Sequence, residues 1–293
     1  SVLSELPESE VHLSLLTNNV VELECNGILT RLYSLSPDEF PPMRSFEGIE
    51  ALVFQQGVLK KLFMRTSFAI CTDQSRYKLT GLLFQVHNGR LVVVATDGRR
   101  MSLAIEEEGI PSDAEIKVII PSKVIHEMER LFGEEELVNV YIDESQAGFF
   151  FDNVRMFTSL IEGNFPNYEM VVPQKHDKEI ICNTAKFMEV MRRTRTMTNN
   201  KFNSVRFKIS SNAILFQVST PEVGDYKEDM DIEYGGEDME IAFNPDFILD
   251  VLRCVESDKV CLILKDGNSP GVIKPYTDAP LDTYVNVIMP IRL

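Results

Sequence analysis

Four histidines and five cysteines are the residues of this chain best suited to act as nucleophiles, bases or metal ligands. The cysteines never stand in C-x-x-C spacing, and the sequence holds no pattern typical of a phosphate-binding loop, a dinucleotide-binding turn, a serine hydrolase elbow or a zinc protease. A Cys-His or Ser-His pair could still assemble in space, so an enzyme stays an alternative. We predict a protein without a catalytic site, metal or cofactor.

The stretch most like a functional motif is TDGRRM at residues 96–101. One interpretation is a strand that leaves the core through an Asp-Gly turn, with Gly98 at positive φ and Asp97 bonded to its own backbone. The other is a surface site to which Arg99, Arg100 and Met101 contribute cationic and soft apolar groups. The spacing alone favours neither.

The end of the chain, VIMPIRL at residues 287–293, is mostly apolar, whereas chain ends are usually polar and frayed. It either docks as a buried strand or lines an exposed apolar groove, and both can hold at once.

The charge of the chain is unevenly distributed. Acidic residues outnumber basic ones by 45 to 29, for a formal net charge of −16, which argues against a surface that neutralises phosphates everywhere. The acidic runs at 106–108, 134–136 and 225–240 are typical of solvated faces. Basic residues collect instead in the predicted helix 58–71 and in and after the predicted helix 185–194, as far as Lys201, so we expect one positive surface on an acidic molecule.

A repeat of roughly 125 residues, close to the usual size of a domain, organises the chain. The pattern S-L-x4-F-P begins at Ser34 and again at Ser159, and Pro290 lies at a similar distance beyond the second copy. Counting back from the first copy, we expect that the chain begins inside a domain and that roughly 80 residues precede residue 1.

Each copy is predicted to hold two helices and several short strands. We expect helices over 58–71 and 185–194, a helix with Ser122 as its N-cap, and a helix with Asn244 as N-cap and Pro245 at its first position. Strands are predicted where β-branched residues alternate between turn residues, and these lie at 90–95, 115–120, 138–142 and 148–151. The fold class is therefore α+β, with repeated domains in which two helices pack on antiparallel sheets.

Four stretches together resemble the beta sliding clamp family of bacterial DNA polymerase III: ATDGRRM, GNFPNYEMVVP, KFNSVRF and VIMPIRL. This resemblance implies three similar DNA-clamp domains per subunit and two subunits that close head-to-tail around duplex DNA, as a processivity factor. Residues 1–48 would be the C-terminal part of a truncated first domain, 49–172 the second domain and 173–293 the third. The alternative is that this shortened chain does not close a stable ring and serves as a peptide-binding scaffold.

The resemblance also implies a pocket that binds a short linear motif of partner proteins. In that motif a glutamine is followed by aliphatic and aromatic residues. Three of its positions depart from the usual pattern, since Arg99 replaces a histidine, Met170 a basic residue and Pro270 a serine. The pocket residues would be Arg76, Leu79, Thr96, Gly98, Arg99, Arg100, Met101, Pro166, Met170, Val171, Phe247, Pro270, Val287, Ile288, Met289, Pro290, Ile291, Arg292 and Leu293.

The DNA contacts implied by the resemblance, together with the basic helical segments, are Gln74, Arg76, Tyr77, Lys78, Lys60, Lys61, Arg65, Arg192, Arg193, Arg195 and Lys201. The dimer interface would include Thr30 and Leu32 on one side and Thr196 and Met197 on the other. Expected partners are double-stranded DNA without sequence preference, the polymerase III alpha subunit, the clamp loader and other proteins with the motif. We expect a homodimer at full length, no membrane association, and a place in the bacterial cytoplasm at the nucleoid.

Overall fold

A computed structural model describes residues 2–39, 45–110, 114–172, 178–199, 201–221, 223–277 and 283–292. The chain forms two compact units, Ser1–Glu47 and Gly48–Leu293. Within the described ranges, no helix is both long and apolar enough to cross a membrane.

The first unit contains one antiparallel sheet in the order β1-β2-β3. Asn and Gly residues at positive φ form its turns, and Leu23 and Cys25 of the central strand are buried. Its strands are β1 (Val11–Leu16), β2 (Val20–Cys25) and β3 (Ile28–Tyr33), and short 3-10 turns lie at Leu3–Glu5 and Pro37–Glu39.

The second unit repeats one order of elements twice: a strand, a helix, four strands, a second helix and three strands. The first copy holds β4 (Leu52–Gln55), α1 (Gln56–Thr66), β5 (Gly81–His87), β6 (Arg90–Thr96), β7 (Arg100–Glu106), β8 (Ile116–Pro121), α2 (Ser122–Leu131), β9 (Leu137–Ile142), β10 (Gln146–Phe151) and β11 (Val154–Ser159). Short 3-10 helices follow α1 at Ser67–Ala69 and Gln74–Leu79. The second copy holds β12 (Lys178–Asn183), α3 (Thr184–Thr196), β13 (Val205–Ser210), β14 (Ala213–Thr220), β15 (Gly224–Asp231), β16 (Met239–Phe243), α4 (Pro245–Arg253), β17 (Lys259–Leu264), β18 (Gly271–Pro275) and β19 (Tyr284–Ile288).

In the described part of the second unit, the strands form three antiparallel sheets. Two have four strands, in the orders β11-β10-β9-β4 and β15-β14-β13-β16. The third has eight strands, in the order β12-β17-β18-β19-β7-β6-β5-β8, and it joins the two copies through β19 and β7. In that pair Val287 lies opposite Met101 and Ile288 opposite Arg100. The predicted α+β class with two helices per repeat is confirmed.

Helices α3 and α4 begin at residues whose side chains cap them, whereas α1 and α2 have no side-chain cap bond. The side chains of Asn183 and Asn244 accept backbone N–H bonds at the starts of α3 and α4, as expected for N-caps. Ser122 does not cap α2, because it is already the first helical residue and Pro121 holds the cap position. The predicted helix over 58–71 is shorter and begins earlier, since α1 spans Gln56–Thr66 before the chain tightens into a 3-10 turn.

The core has three parts, because side chains alternate between the two faces of each sheet. One cluster surrounds α1 and α2 and includes Phe63 and Phe84, and a second surrounds α3 and α4 and includes Phe207. The third lies on the opposite face of the eight-stranded sheet, where Met101 and Val287 meet the segment that follows β11. This outer cluster forms the floor of the candidate site.

Candidate functional site

An apolar pocket of about 170 Å³ opens on the outer face of the eight-stranded sheet, where the two repeats join. One wall comes from the β6–β7 turn, a second from the segment after β11, and the third from the end of β19. Ten of the predicted pocket residues line it: Leu79, Thr96, Gly98, Arg99, Arg100, Met101, Pro166, Val171, Val287 and Met289. Phe165 and Tyr168 complete the lining.

Local hydrogen bonds fix the turn from Thr96 to Arg100. The Asp97 carboxylate oxygen Oδ1 accepts the backbone N–H groups of Arg99 at 2.8 Å and Arg100 at 3.0 Å. The Thr96 hydroxyl donates to the Arg100 carbonyl at 2.6 Å and accepts the Gly98 N–H at 3.0 Å. Gly98 has φ +82°, a conformation that costs other residues energy. The structure therefore bears out the Asp-Gly turn, and this turn also forms a wall of the pocket.

Arg100 binds the two repeats together beneath the pocket. Its Nε lies 3.1 Å from Asp97 Oδ2, and its Nη1 lies 2.6 Å from Asp250 Oδ2 on α4. The guanidinium also donates to the Phe68 carbonyl and stacks over the ring of Phe247 at 4.5 Å. Only 13% of its side chain is exposed. These contacts satisfy its charge inside the protein, so Arg100 acts mainly as a structural residue.

Some predicted pocket residues support the lining from outside it. Arg76 donates to the Asp97 carbonyl at 2.8 Å and so braces the turn from below. Phe247 carries the Arg100 guanidinium on its ring. Ile288 is 2% exposed and belongs to the core around α3 and α4, because its side chain points to the opposite face of the sheet from Val287.

Other predicted residues lie away from the lining. Met170 is 84% exposed beside Val171, so its side chain points into solvent. Pro270 precedes β18 and does not reach the pocket. Beyond Met289 the chain turns toward β16, where the Ile291 N–H donates to the Ala242 carbonyl at 2.8 Å, so Pro290, Ile291 and Arg292 leave the pocket wall. Leu293 lies outside the described residues.

Phe165 and Tyr168 were missed as lining residues, although both lie in the stretch GNFPNYEMVVP. Phe165 is 6% exposed and packs in the outer core cluster. It is also the phenylalanine of the repeated S-L-x4-F-P pattern. That pattern was the signal that could have placed it in the pocket.

Replacement of Gly98 by alanine is expected to disturb both the turn and the pocket. Alanine is strained in the left-handed φ of this position, and its Cβ would lie 3.0 Å from Arg76 Nη1. We therefore expect a loss of about 1–2 kcal/mol in unfolding free energy. Gly109→Ala is the matched control, because Gly109 has φ +72° but open space around it and lies outside the pocket lining. Thermal melts should show similar losses for both variants, whereas only Gly98→Ala should weaken peptide binding in calorimetry.

The predicted DNA-binding cations of α1 are largely paired with acids. Lys60 Nζ donates to the Phe132 carbonyl at 3.0 Å and lies 3.3 Å from Glu134. Lys61 and Arg65 share Glu256, at 2.8 Å and 3.5 Å, and this sharing lowers the pKa of that carboxyl. The Arg65 side chain is only 17% exposed and lies over the Tyr284 ring. The α1 face therefore carries less net positive charge than its sequence suggests.

The cations of α3 divide into paired and unpaired groups. Arg193 forms two hydrogen bonds to Glu228 on β15, at 3.0 and 2.7 Å, which lower the pKa of that carboxyl, and Arg195 lies 2.6 Å from Asp246. Arg192 contacts the Met188 sulphur and forms no ion pair with any described acid. Arg192 is therefore the better candidate for contact with an external anion.

The remaining predicted DNA contacts lie at two places. Gln74, Arg76, Tyr77 and Lys78 share the 3-10 segment Gln74–Leu79, where Lys78 Nζ lies 5.9 Å from the centre of the half-exposed Tyr77 ring. Lys201 is exposed in the segment after α3, and its ammonium lies near the Phe202 ring. The structure thus places these residues on separate elements.

The predicted interface residues lie beside strand edges. Thr30 and Leu32 lie on β3, an edge strand of the first unit, and Leu32 is 40% exposed. Thr196 ends α3 and Met197 caps it, and the Met197 carbonyl accepts the Thr220 hydroxyl at 2.6 Å. Met197 also lies near Gly224, where the edge strand β15 begins.

Two of the cysteines, Cys182 and Cys254, are poorly suited to nucleophilic chemistry. Burial, helped by neighbouring Cys261, raises the pKa of Cys182 to about 12, and burial raises the pKa of Cys254 to about 11. Both thiols are therefore protonated at neutral pH. Among the described residues, no group of three or more His, Cys, Asp or Glu side chains is placed to hold a metal ion. Repeated domains joined by one sheet, with an apolar pocket on its outer face, define a binding scaffold.

Comparison with known proteins identifies which scaffold it is. Residues 53–167 match the model of the DNA polymerase III beta subunit, central domain, and residues 169–292 match that of its C-terminal domain. The beta sliding clamp of Pseudomonas aeruginosa is 32% identical over 263 residues, which cover 89% of this chain and 71% of that protein. The chain belongs to the beta sliding clamp family.

Solved structures agree with this placement. The DNA polymerase sliding clamp of Bacillus subtilis superposes with a TM-score of 0.91 at 28% identity, over 100% of this chain and 77% of the other. A sliding clamp from Pseudomonas aeruginosa bound to griselimycin has a TM-score of 0.87 at 30% identity, over 100% of this chain and 79% of the other. The resemblance found in the sequence is therefore confirmed.

Proposed function

We propose that this protein is a DNA sliding clamp, which encircles duplex DNA and tethers a replicative polymerase and other partners through the apolar pocket. It is a processivity factor and accessory subunit of a DNA polymerase, not an enzyme. The observation that carries the proposal is the pocket at the junction of the two repeats, in a chain of the beta sliding clamp family. Short apolar segments of the polymerase III alpha subunit, the clamp loader and other motif-bearing proteins would bind there.

The pocket chemistry suits such partners. Eight of its lining side chains are apolar or aromatic, which fits an apolar peptide anchor: Leu79, Met101, Phe165, Pro166, Tyr168, Val171, Val287 and Met289. Methionine adapts its shape to different anchors, so one pocket can serve several proteins. Met289 is 41% exposed and forms part of the wall that an incoming peptide would cover.

DNA would be held without reading its sequence. The proposed contacts are Gln74, Arg76, Tyr77, Lys78, Lys60, Lys61, Arg65, Arg192, Arg193, Arg195 and Lys201. A sliding ring needs only phosphate contacts, and the strongly acidic remainder of the surface would disfavour DNA elsewhere. Among these cations we expect Arg192 to contribute more than Arg193, because Glu228 already occupies the Arg193 guanidinium.

The pair Arg192→Gln and Arg193→Gln tests this DNA-binding surface. The association constant K for a short DNA duplex is measured by fluorescence anisotropy over a range of salt concentrations. Arg192→Gln should make the slope of log K against log salt less steep by about 0.9, which is the value of one lost phosphate contact. Arg193→Gln should leave that slope nearly unchanged. A slope that changes only in Arg193→Gln, or in neither variant, would contradict this surface.

We propose further that the protein at full length is a homodimer, in which a second copy completes the ring. The edge strands β3 and β15 leave backbone groups open for pairing, which is a common route to association. Thr30 and Leu32 on β3 would then approach Thr196 and Met197 beside β15 of the other copy. The domains would be 1–48, 49–172 and 173–293, with 1–48 corresponding to the end of the first clamp domain. The protein would act in the bacterial cytoplasm, at the nucleoid.

A further inference from the structure

A second groove, of about 330 Å³, lies between α1 and the end of α4, where the two repeats meet. Four cationic side chains line this groove: Lys60, Lys61 and Arg65 from α1, and Arg253 from α4. Two carboxylates, those of Glu134 and Glu256, line it as well. The groove is therefore polar and carries a surplus of positive charge, in contrast to the apolar pocket on the other face of the sheet.

Glu256 holds two of these cations at once. One of its carboxylate oxygens, Oε2, lies 2.8 Å from Lys61 Nζ and 3.5 Å from Arg65 Nη2. The hydrogen bond from Lys61 is the main cause that lowers the pKa of this carboxyl, so Glu256 is charged at neutral pH. Among the residues that the structure describes, Glu256 is the only acid in ion-pair contact with either cation. Because Glu256 belongs to the second repeat and α1 to the first, only the folded junction places this acid beside α1.

The contact between Glu256 and Lys61 is open to solvent. The Glu256 side chain is 68% exposed and that of Lys61 is 48% exposed. An exposed ion pair is weak, so an external anion can exchange with the carboxylate. Phosphate oxygens accept hydrogen bonds from ammonium and guanidinium groups as carboxylate oxygens do. A phosphate would therefore reach Lys61 only by displacing Glu256, and the displaced carboxylate would stay near enough to repel it.

We propose that Glu256 competes with DNA phosphates for Lys61 and Arg65, and so keeps this part of the DNA-binding surface weak. This inference rests on the proposed function of α1 as part of that surface. A cation that the protein already neutralises contributes less to the release of counterions from DNA, which supplies most of the sequence-independent affinity. Weak contact suits a ring that moves along DNA, because each phosphate contact must break before the next one forms.

The second repeat offers a matched control. Glu240 on β16 also binds one lysine and one arginine, since its carboxylate lies 3.2 Å from Lys208 Nζ and 3.7 Å from Arg206 Nη1. Phe207, between these two cations on β13, belongs to the core around α3 and α4. Side chains alternate along a strand, so Arg206 and Lys208 lie on the opposite face of the sheet, away from those helices. Neither cation is among the proposed DNA contacts.

The test compares Glu256→Gln and Glu240→Gln with the intact protein. The association constant K for a short DNA duplex is measured by fluorescence anisotropy over a range of salt concentrations. Both substitutions remove one negative charge and release one lysine and one arginine. Glu256→Gln should bind about three- to tenfold more tightly at about 0.1 M salt, with a slope of log K against log salt that is steeper by about 0.9 to 1.8, the values of one and two added phosphate contacts. Glu240→Gln should leave the slope nearly unchanged.

A double variant tests whether Glu256 acts through its cations. Lys61→Gln combined with Glu256→Gln should lose most of the added affinity and slope, because Arg65 is the more distant partner and only 17% of its side chain is exposed. The Tm of Glu256→Gln should stay close to that of the intact protein, since exposed pairs contribute little to folding. A fall in Tm without a change of slope would assign Glu256 a structural role and overturn the proposal.

The remaining outcomes are distinguishable. Unchanged affinity and slope in Glu256→Gln, while the intact protein binds DNA, overturn the role of Glu256 and leave the clamp function standing. An equal gain in Glu256→Gln and Glu240→Gln is a general charge effect and also overturns that role, as does a gain that persists in full without Lys61. Absence of salt-dependent binding in the intact protein and in every variant overturns the DNA-binding surface and the Glu256 proposal together.

Discussion

Removal of residues 289–293 is expected to weaken the binding of a motif peptide by about 30-fold or more. The deletion removes the Met289 side chain from the pocket wall and the hydrogen bond from the Met289 N–H to the Arg99 carbonyl, which is 2.9 Å long. It also removes the bond from Ile291 to Ala242 that holds the chain end against β16. Apolar anchor pockets concentrate binding energy in few residues, and a loss of 2 kcal/mol already corresponds to this factor. Calorimetry with the peptide measures it.

Two methionine variants test whether the peptide binds at the pocket lining. Met289→Ala should weaken the peptide clearly, because Met289 lines the pocket. Met170→Ala should change affinity little, because Met170 is 84% exposed and lies outside the lining despite its place in the predicted set. Full affinity of both the deletion and Met289→Ala would refute the pocket assignment. A larger loss in Met170→Ala would move the binding surface away from the pocket.

Replacement of Arg100 by methionine is expected to lower the unfolding free energy by about 2–4 kcal/mol and to weaken peptide binding. Methionine keeps most of the apolar stem but leaves Asp97 and the Phe68 carbonyl without their guanidinium partner in a nearly buried place. The loss of unfolding free energy should be somewhat smaller than for a fully buried ion pair, because Asp250 still forms an ion pair with Arg253 at 2.9 Å. A thermal melt should show a fall in Tm of about 5–10 °C.

Arg253→Met is the matched control for Arg100→Met. Both arginines bind Asp250, but Arg253 is half exposed and its pair lies within one turn of α4. Exposed pairs of this kind contribute about 0.3–0.5 kcal/mol, so Tm should hardly change. If Arg253→Met destabilises the protein as much as Arg100→Met, the junction does not depend on the Arg100 network.

Local patterns in the sequence predicted most of the elements correctly. Alternating β-branched residues placed strands such as β6 and β9, and Asn244 with Pro245 placed the start of α4, because these signals depend on neighbouring residues alone. Ser122 was predicted to be the N-cap of α2 but is its first helical residue. A serine at the cap and a serine at the first helical position have similar sequence surroundings, so the sequence does not distinguish the two. The Asp-Gly turn was recognised for the same local reason.

Ion pairing could not be predicted in this way. Lys61 and Glu256 lie 195 positions apart in the chain, and Arg100 and Asp250 lie 150 positions apart. Only the folded junction between the repeats brings the members of each pair together. The basic residues of α1 and α3 were therefore expected to form one positive surface. The structure places acids from other elements beside Lys60, Lys61, Arg193 and Arg195. Arg192 is therefore the better candidate for contact with DNA.

The sequence alone determined the α+β class, the repeat, the family and the residue types of the pocket, because each is encoded in local patterns and in stretches such as ATDGRRM and VIMPIRL. The fold decided which of those residues form the pocket and which support it. Adjacent residues of β19 point to opposite faces of one sheet, so Val287 lines the pocket while Ile288 is buried in the core around α3 and α4. Similarly, of the neighbours Arg99 and Arg100, Arg100 binds acids from both repeats at the junction, whereas Arg99 is exposed on the pocket wall.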